Sequence, residues 1–215
     1  GWSRALQAGG GLVLIISLLA LGLPGNTSKR EKNTEPKADS ELTLLETING
    51  AMSHSGYLLL NVGFFVCGFH VAFIGTHLPS FLQSEGISVS TASWALAMIG
   101  LFNMFGSMIF GRMGDSLSKK NLLSLLYTLR SVVIAGFIAI PINEITAIVF
   151  GAAIGFFWLA TVPLTSGIVA QVFGTRYLST LWAIVFFSHQ IGAFLGVWLG
   201  GRVYDTTGSY TPVWL

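Results

Sequence analysis

GRMGDSLSKKN, residues 111–121, joins two long apolar stretches, and how it is read decides the organisation of the whole chain. Upstream, STASWALAMIGLFNMFGSMIF (90–110) carries no charged residue; downstream, residues 121–140 carry a single one, Arg130. A helix crosses the ~30 Å hydrocarbon core of a bilayer with about 20 apolar residues, and both flanks reach that length. The segment between them then reads as a polar turn at one membrane surface. Gly111 and Gly114 would let helix ends approach closely, as small residues do in lipid. Asp115 is placed to accept hydrogen bonds from a neighbouring helix N-terminus, where the macrodipole favours an anion. Lys119 and Lys120 would anchor the next helix among the headgroups.

Composition supports a membrane setting. The chain has 215 residues, 53% of them hydrophobic and only 9% charged, against roughly a quarter charged in an ordinary soluble domain. Mean hydropathy is +0.72, which leaves too little polar surface to dissolve a globule. The single cysteine, Cys67, excludes an intrachain disulfide and a cysteine metal site. The net charge of +2 gives no sign of nucleic-acid binding, and no phosphate-binding loop or cofactor fingerprint is present. No bound cofactor is expected.

Six segments are long and apolar enough, or nearly so, to span: 5–23, 57–82, 91–111, 121–140, 145–169 and 179–202, with a seventh beginning at Thr211. The expected fold is therefore an all-α polytopic membrane protein. Residues 24–55 form the one long separator, mixed in charge and poor in aromatics, as in chains that stay flexible in part. Within it, SELTLLETI (40–48) has the pattern of a short amphipathic helix lying on the membrane surface. If the separators alternate sides, one side receives Lys29, Arg30, Lys32, Lys37, Arg112, Lys119, Lys120 and Arg176, and the other only Arg4 and Arg202. That asymmetry places loops 24–55 and 112–120 in the cytoplasm. GLVLIISLLALGL (11–23) is also short enough for the apolar region of a signal peptide, but cleavage after it would export the basic loop against the charge rule. The chain begins at Gly1 and closes on TPVWL as a new apolar run starts; it reads as a fragment of a longer protein.

Polar residues gather at one depth. At ~1.5 Å per residue, His70 lies about 20 Å along its helix, Asn103 about 18 Å, Trp158 about 20 Å and His189 about 15 Å. All fall in the middle third of a ~30 Å core. Together with Gln190 they are candidates to line a solute path. Pro163, in ATVPLTSG, lacks a backbone N–H and frees a carbonyl one turn earlier, opening a kink. Arg130 enters its helix by about 14 Å. An unpaired arginine there costs at least ~2.5–3.5 kcal/mol, so it must snorkel, meet water or find acceptors. No acidic residue lies at matching depth, and a structural role is the favoured reading, with direct contact to an anionic solute the rival.

The 111–121 loop resembles the Gly-x-x-x-Asp-(basic)-x-Gly-(basic)-(basic) loop of the major facilitator superfamily, in its copy between helices 8 and 9. Ser116 stands where the first basic residue belongs and Ser118 where the second glycine belongs. GGRVYDTTGSY (200–210) is similar to the stretch joining helices 11 and 12 in the monocarboxylate and oxalate–formate porter branches. FFVCGFHVAFIGTHLPSFL (64–82) and WLATVPLTSG (158–167) resemble the seventh and tenth helices of bacterial members. The resemblance implies that the chain runs from helix 6 through early helix 12 of a 12-helix transporter. Residues 1–23 would end the N-terminal half, 24–55 would be the linker, and 56–215 would form the C-terminal half, built of two inverted three-helix repeats, 57–140 and 145–215. It further implies alternating access and a midplane solute site between the halves. The implied partners are a small organic solute (a monocarboxylate or other organic anion), the missing N-terminal half, the lipid bilayer, and protons as a coupling ion, since histidines titrate near pH 6.5. A bacterial inner membrane is the implied location. The eighth helix of the porter branch commonly carries charge, whereas residues 90–110 have none, so a neutral solute stays open. The rival classes are an intramembrane enzyme, which would need a nucleophile–base or metal constellation that the sequence lacks, and a multi-helix subunit that carries nothing across.

Overall fold

The computed structural model describes residues 43–214. They form α1 (Leu44–Ser53), α2 (Ser55–Ser84), α3 (Val89–Ser116), α4 (Lys119–Ala139), α5 (Glu144–Phe156), α6 (Thr161–Phe173), α7 (Leu178–Thr207) and the short α8 (Thr211–Trp214). Five spans are long and apolar enough to cross a membrane: α2, α3, α4, the α5–α6 pair taken together, and α7. The protein is an all-α polytopic membrane protein. The expected span over 5–23 lies outside the described residues, as does most of the linker.

The spans overrun their apolar stretches at both ends, except that α4 stops at Ala139, because polar residues at the interface continue the helices as readily as they end them. The 111–121 segment shows this best. Its first half is the last turns of α3, and only Leu117 and Ser118 interrupt the helical path. Ser118 caps α4 by accepting the Asn121 N–H. Within the expected linker, the short helix read over 40–48 corresponds to α1, which runs on to Ser53; residues 40–42 lie outside the described residues. The start of α1 is fixed by a capping box: the Thr43 N–H donates to Glu46 Oε2 at 2.7 Å, and the Glu46 N–H donates to Thr43 Oγ1 at 3.3 Å. The bonds from Thr43, its backbone N–H first, hold the Glu46 carboxyl below the usual carboxylate range.

Lipid is as apolar as leucine, so the hydrophobic effect does little to hold these helices together, and close van der Waals approach and polar contacts must do it. Two helix pairs use glycine for this purpose. In α2 and α7, a Cβ at Gly68 would strike the His189 carbonyl, and one at Gly192 or Gly196 would strike the Phe65 or Phe69 carbonyl. In α3 and α5, Gly106 lies against the Phe156 carbonyl, while Gly151 and Gly155 lie against those of Ala95 and Ile99. Polar bonds fasten the first pair along its length: Tyr57 Oη donates to the Leu181 carbonyl (2.8 Å), Ser188 Oγ to that of Asn61 (3.0 Å), and His77 Nε2 lies 3.0 Å from that of Val197. His77 therefore holds the end away from the lysines, where α8 brings Trp214 against Phe73, Phe81 and Phe150. Among the described spans, α2 thus packs on α7 and α3 on α5.

We expect the two ends to be on opposite sides of the membrane. With Cys67 replaced by alanine, a membrane-impermeant maleimide added to intact cells should modify a cysteine at position 207 and leave one at position 117 untouched. Labelling of 117 and not 207 would reverse the orientation.

Candidate functional site

The α5–α6 span is broken at its middle. Phe157 to Ala160 leave the helical path, and α6 restarts at Thr161 with Pro163 in its first turn. Pro163 cannot donate to the carbonyl one turn back, and its ring would crowd that carbonyl in a continuous helix, so the break falls one turn before it. A break at this depth strands backbone groups where water is scarce, and each must find a partner inside the protein.

Two side chains supply those partners. Arg130, in the middle of α4 and 2% exposed, donates through Nη2 to the carbonyls of Phe157 and Trp158, both at 2.5 Å, and through Nη1 to Cys67 Sγ at 3.1 Å. Asn103 of α3 accepts the Leu159 N–H at Oδ1 (3.0 Å) and the Ser107 hydroxyl at 3.3 Å. The freed acceptors are taken by a donor-only side chain, and the freed donor by an amide oxygen. Cys67 Sγ also contacts Thr161 Oγ1 at 3.6 Å, so α2 joins α4 and α6 at the break. Arg130 Nε and the buried Thr165 hydroxyl have no partner among the described residues.

Arg130 does not snorkel. It reaches inward and is satisfied by carbonyls, whose partial negative charge stands in for the missing acid. Trp158 contributes its backbone here, while its indole packs over Gly75 of α2. His189 is 8% exposed and lies between Phe64 at 5.0 Å and Phe186, whose ring stacks at 5.5 Å with an interplanar angle of 4°. Its Nδ1 is 3.3 Å from Gln190 Oε1. Gln190 is exposed and His70 half-buried. Of the five midplane candidates, Asn103 and Trp158 lie at the break, His189 pairs with Gln190 on α7 and also interacts with Cys67 of the break, and His70 stands on α2.

At the basic end, Gly114 lies against Leu164, whereas a Cβ at Gly111 would meet nothing. The Lys119 ammonium turns back to the Gly114 carbonyl (2.6 Å), and its stem runs over Gly167 of α6. It therefore caps the C-terminal end of α3, where a cation is favoured. Asp115 and Lys120 are exposed. Sequence reasoning set Thr161 beside the Pro163 kink but gave Cys67 no part in it. The available signal was the position of Cys67 at about 18 Å along α2, the depth of the break.

Removing the Asn103 acceptor should cost about 1–3 kcal/mol, the penalty of an orphaned buried donor. Asn103→Ala is expected to lower the melting temperature of the purified protein, with Asn103→Asp, which keeps the acceptor, nearer the parent. Equal stability of all three would remove Asn103 from the support of the break.

Closely packed spanning helices with a mid-membrane break held by polar side chains define a polytopic membrane protein. The family model for the Major Facilitator Superfamily matches residues 1–208, and the chain belongs to that superfamily. It is similar to the uncharacterized transporter YcxA of Bacillus subtilis, with 27% identity over 71% of this chain and 38% of YcxA. It is similar to human monocarboxylate transporter 12, with 28% identity over 76% of this chain and 32% of that protein. YhjX of Escherichia coli, also uncharacterized, is 20% identical over 90% of this chain and 48% of YhjX. The chain thus matches about a third to a half of the length of these relatives. With vertebrate and bacterial proteins among them, the expected bacterial inner membrane narrows to an integral membrane location.

Proposed function

We propose that the protein is a secondary active transporter that moves a small organic anion, a monocarboxylate being the leading class, by alternating access. The observation that carries this reading is the clasped break at the middle of the α5–α6 span. Irregular backbone at mid-membrane is tolerated where it is buried in protein or lines a polar cavity, and broken helices of this kind commonly form the solute sites of transporters. Within this reading, Arg130 and Asn103 hold the break while His189, Gln190 and His70 face the solute. An exposed glutamine about 18 Å into α7 would leave its amide N–H groups facing lipid, which favours a surface turned toward a polar cavity or the other half of the transporter. Asp115, exposed on the basic end, acts there on conformational exchange. The monocarboxylate class draws support from the named activity of the vertebrate relatives.

A neutral solute is the second reading. Its support is that Arg130, the one charged side chain at mid-depth among the described residues, already commits both terminal nitrogens to carbonyls and a thiol. Uptake by cells expressing the protein, measured with short labelled monocarboxylates and their neutral amides, separates the two. Saturable uptake of the acids alone supports the first, and uptake of the amides alone would overturn it.

Under either reading His189→Ala should reduce uptake at least tenfold while surface amount stays constant. Unchanged uptake would return His189 to a packing role between Phe64 and Phe186. A pH profile shifted by the same substitution would support proton coupling.

A further inference from the structure

A cavity among the described residues reaches toward the break, since Tyr127, which lines it, lies under the Arg130 guanidinium at 5.8 Å. It has a volume of about 770 Å³ and opens at the basic end between the first turns of α2, the first turns of α4 and the last turns of α6. Its walls are apolar, from Leu59, Leu60, Leu123, Ile168, Val172 and Phe173, and Tyr127 lines it near Gly63. Its polar lining includes Lys119, Lys120 and His54, and no aspartate or glutamate.

Charge at this mouth is one-sided. Lys119 and Lys120 occupy the first turn of α4, where the macrodipole is already positive and lysines are ordinarily disfavoured. Lys119 spends its ammonium on the Gly114 carbonyl, whereas Lys120 is exposed at the rim. The cavity also opens sideways, since Leu59 is 72% exposed and Val172 51%. Beside the mouth lies α1, with Leu44, Leu45 and Met52 exposed, an apolar edge that suits the headgroup layer. A cationic rim above a greasy slot fits a ligand with an anionic head and an acyl chain.

We propose that this cavity binds an anionic phospholipid. The phosphate sits at Lys120 and the N-terminal turn of α4, with His54 across the mouth, and one acyl chain fills the slot between α2, α4 and α6. The site is separate from the solute path proposed above and does not depend on the identity of the solute. The apolar walls and lateral opening favour a lipid over a soluble phosphate, which would gain nothing from the slot.

The test is native mass spectrometry of the purified protein titrated with phosphatidylglycerol or phosphatidylcholine of matched chains. Preferential retention of phosphatidylglycerol is expected. Lys120→Gln should weaken it about fivefold, the effect of one lysine near an anionic headgroup. Gly63→Leu, which fills the slot and leaves every charge in place, should abolish the preference. Lys120→Gln alters one exposed side chain and folds like the parent, so it remains informative if Gly63→Leu is unstable. Equal retention of the two lipids overturns the proposal, as does retention of phosphatidylglycerol unchanged by Lys120→Gln. Displacement of the bound lipid by glycerol phosphate at equal concentration would make the site one for a soluble anion and overturn it as well.

Discussion

Arg130→Leu is expected to destabilise the protein more than any other single substitution at mid-membrane depth. It leaves the half-buried Phe157 and Trp158 carbonyls without their donor at mid-membrane depth. Each orphaned buried acceptor costs about 1–3 kcal/mol. The change also removes a buried cation, worth at least ~2.5–3.5 kcal/mol if it were unpaired, but here the charge is hydrogen-bonded and its removal returns little. Arg130→Lys keeps the charge and brings three donors, so it can still serve the carbonyls while losing the contact to Cys67. The expected order of melting temperature in detergent is parent, then Lys, then Leu, with the Leu variant poorly recovered from membranes. Transport by Arg130→Lys at matched surface amount should keep its affinity for acids and amides alike. A selective loss of affinity for acids would instead make Arg130 the group that binds the solute.

The second large effect is expected at Gly68. Any Cβ there falls on the His189 backbone carbonyl, and backbone cannot rotate aside as a side chain can. Gly68→Val should force α2 and α7 apart and strain the bonds that fasten them at Tyr57, Ser188 and His77. Overpacking a core costs about 1–3 kcal/mol, and a clash with backbone along a helix pair belongs at or above the upper end. Gly111→Ala is the matched control, since its Cβ meets nothing within 4 Å. Size-exclusion profiles of fluorescently tagged variants should show Gly68→Val aggregated and Gly111→Ala like the parent. A monodisperse Gly68→Val would mean that the two helices tolerate separation.

Hydropathy alone was enough to find the spans in the described region, because lipid imposes a length and a composition on each one independently of its neighbours. Pro163 marked the irregular span for a similar reason: a missing N–H acts on its own helix. The partners of Arg130 were hidden by a different kind of cause. They lie 27 and 28 residues away and are backbone carbonyls, which every residue possesses and no sequence pattern distinguishes. A search for an acid at matching depth could not have found them. Asn103 looked like a path residue because depth was the only coordinate available, and depth does not say which way a side chain turns. The glycine seam was legible and was passed over. Gly192, Gly196 and Gly200 recur every fourth residue on one face of α7, the spacing at which small residues bring membrane helices together.

The packing of α2 on α7 and of α3 on α5 also has a consequence for how the chain is made. Synthesis runs from the N-terminus, so α4 meets the membrane while Phe157 and Trp158 are still unmade or inside the ribosome. During that interval Arg130 has none of the carbonyl acceptors that later satisfy it, and Gly68 has no α7 to lie against. The first three described spans therefore enter the bilayer as an unfinished assembly, held there by their apolar length and completed only when residues 144–207 arrive. A nascent chain that stalls after α4 would present an unsatisfied arginine and bare glycine seams to the lipid, marks by which membrane quality control can tell an interrupted product from a finished one.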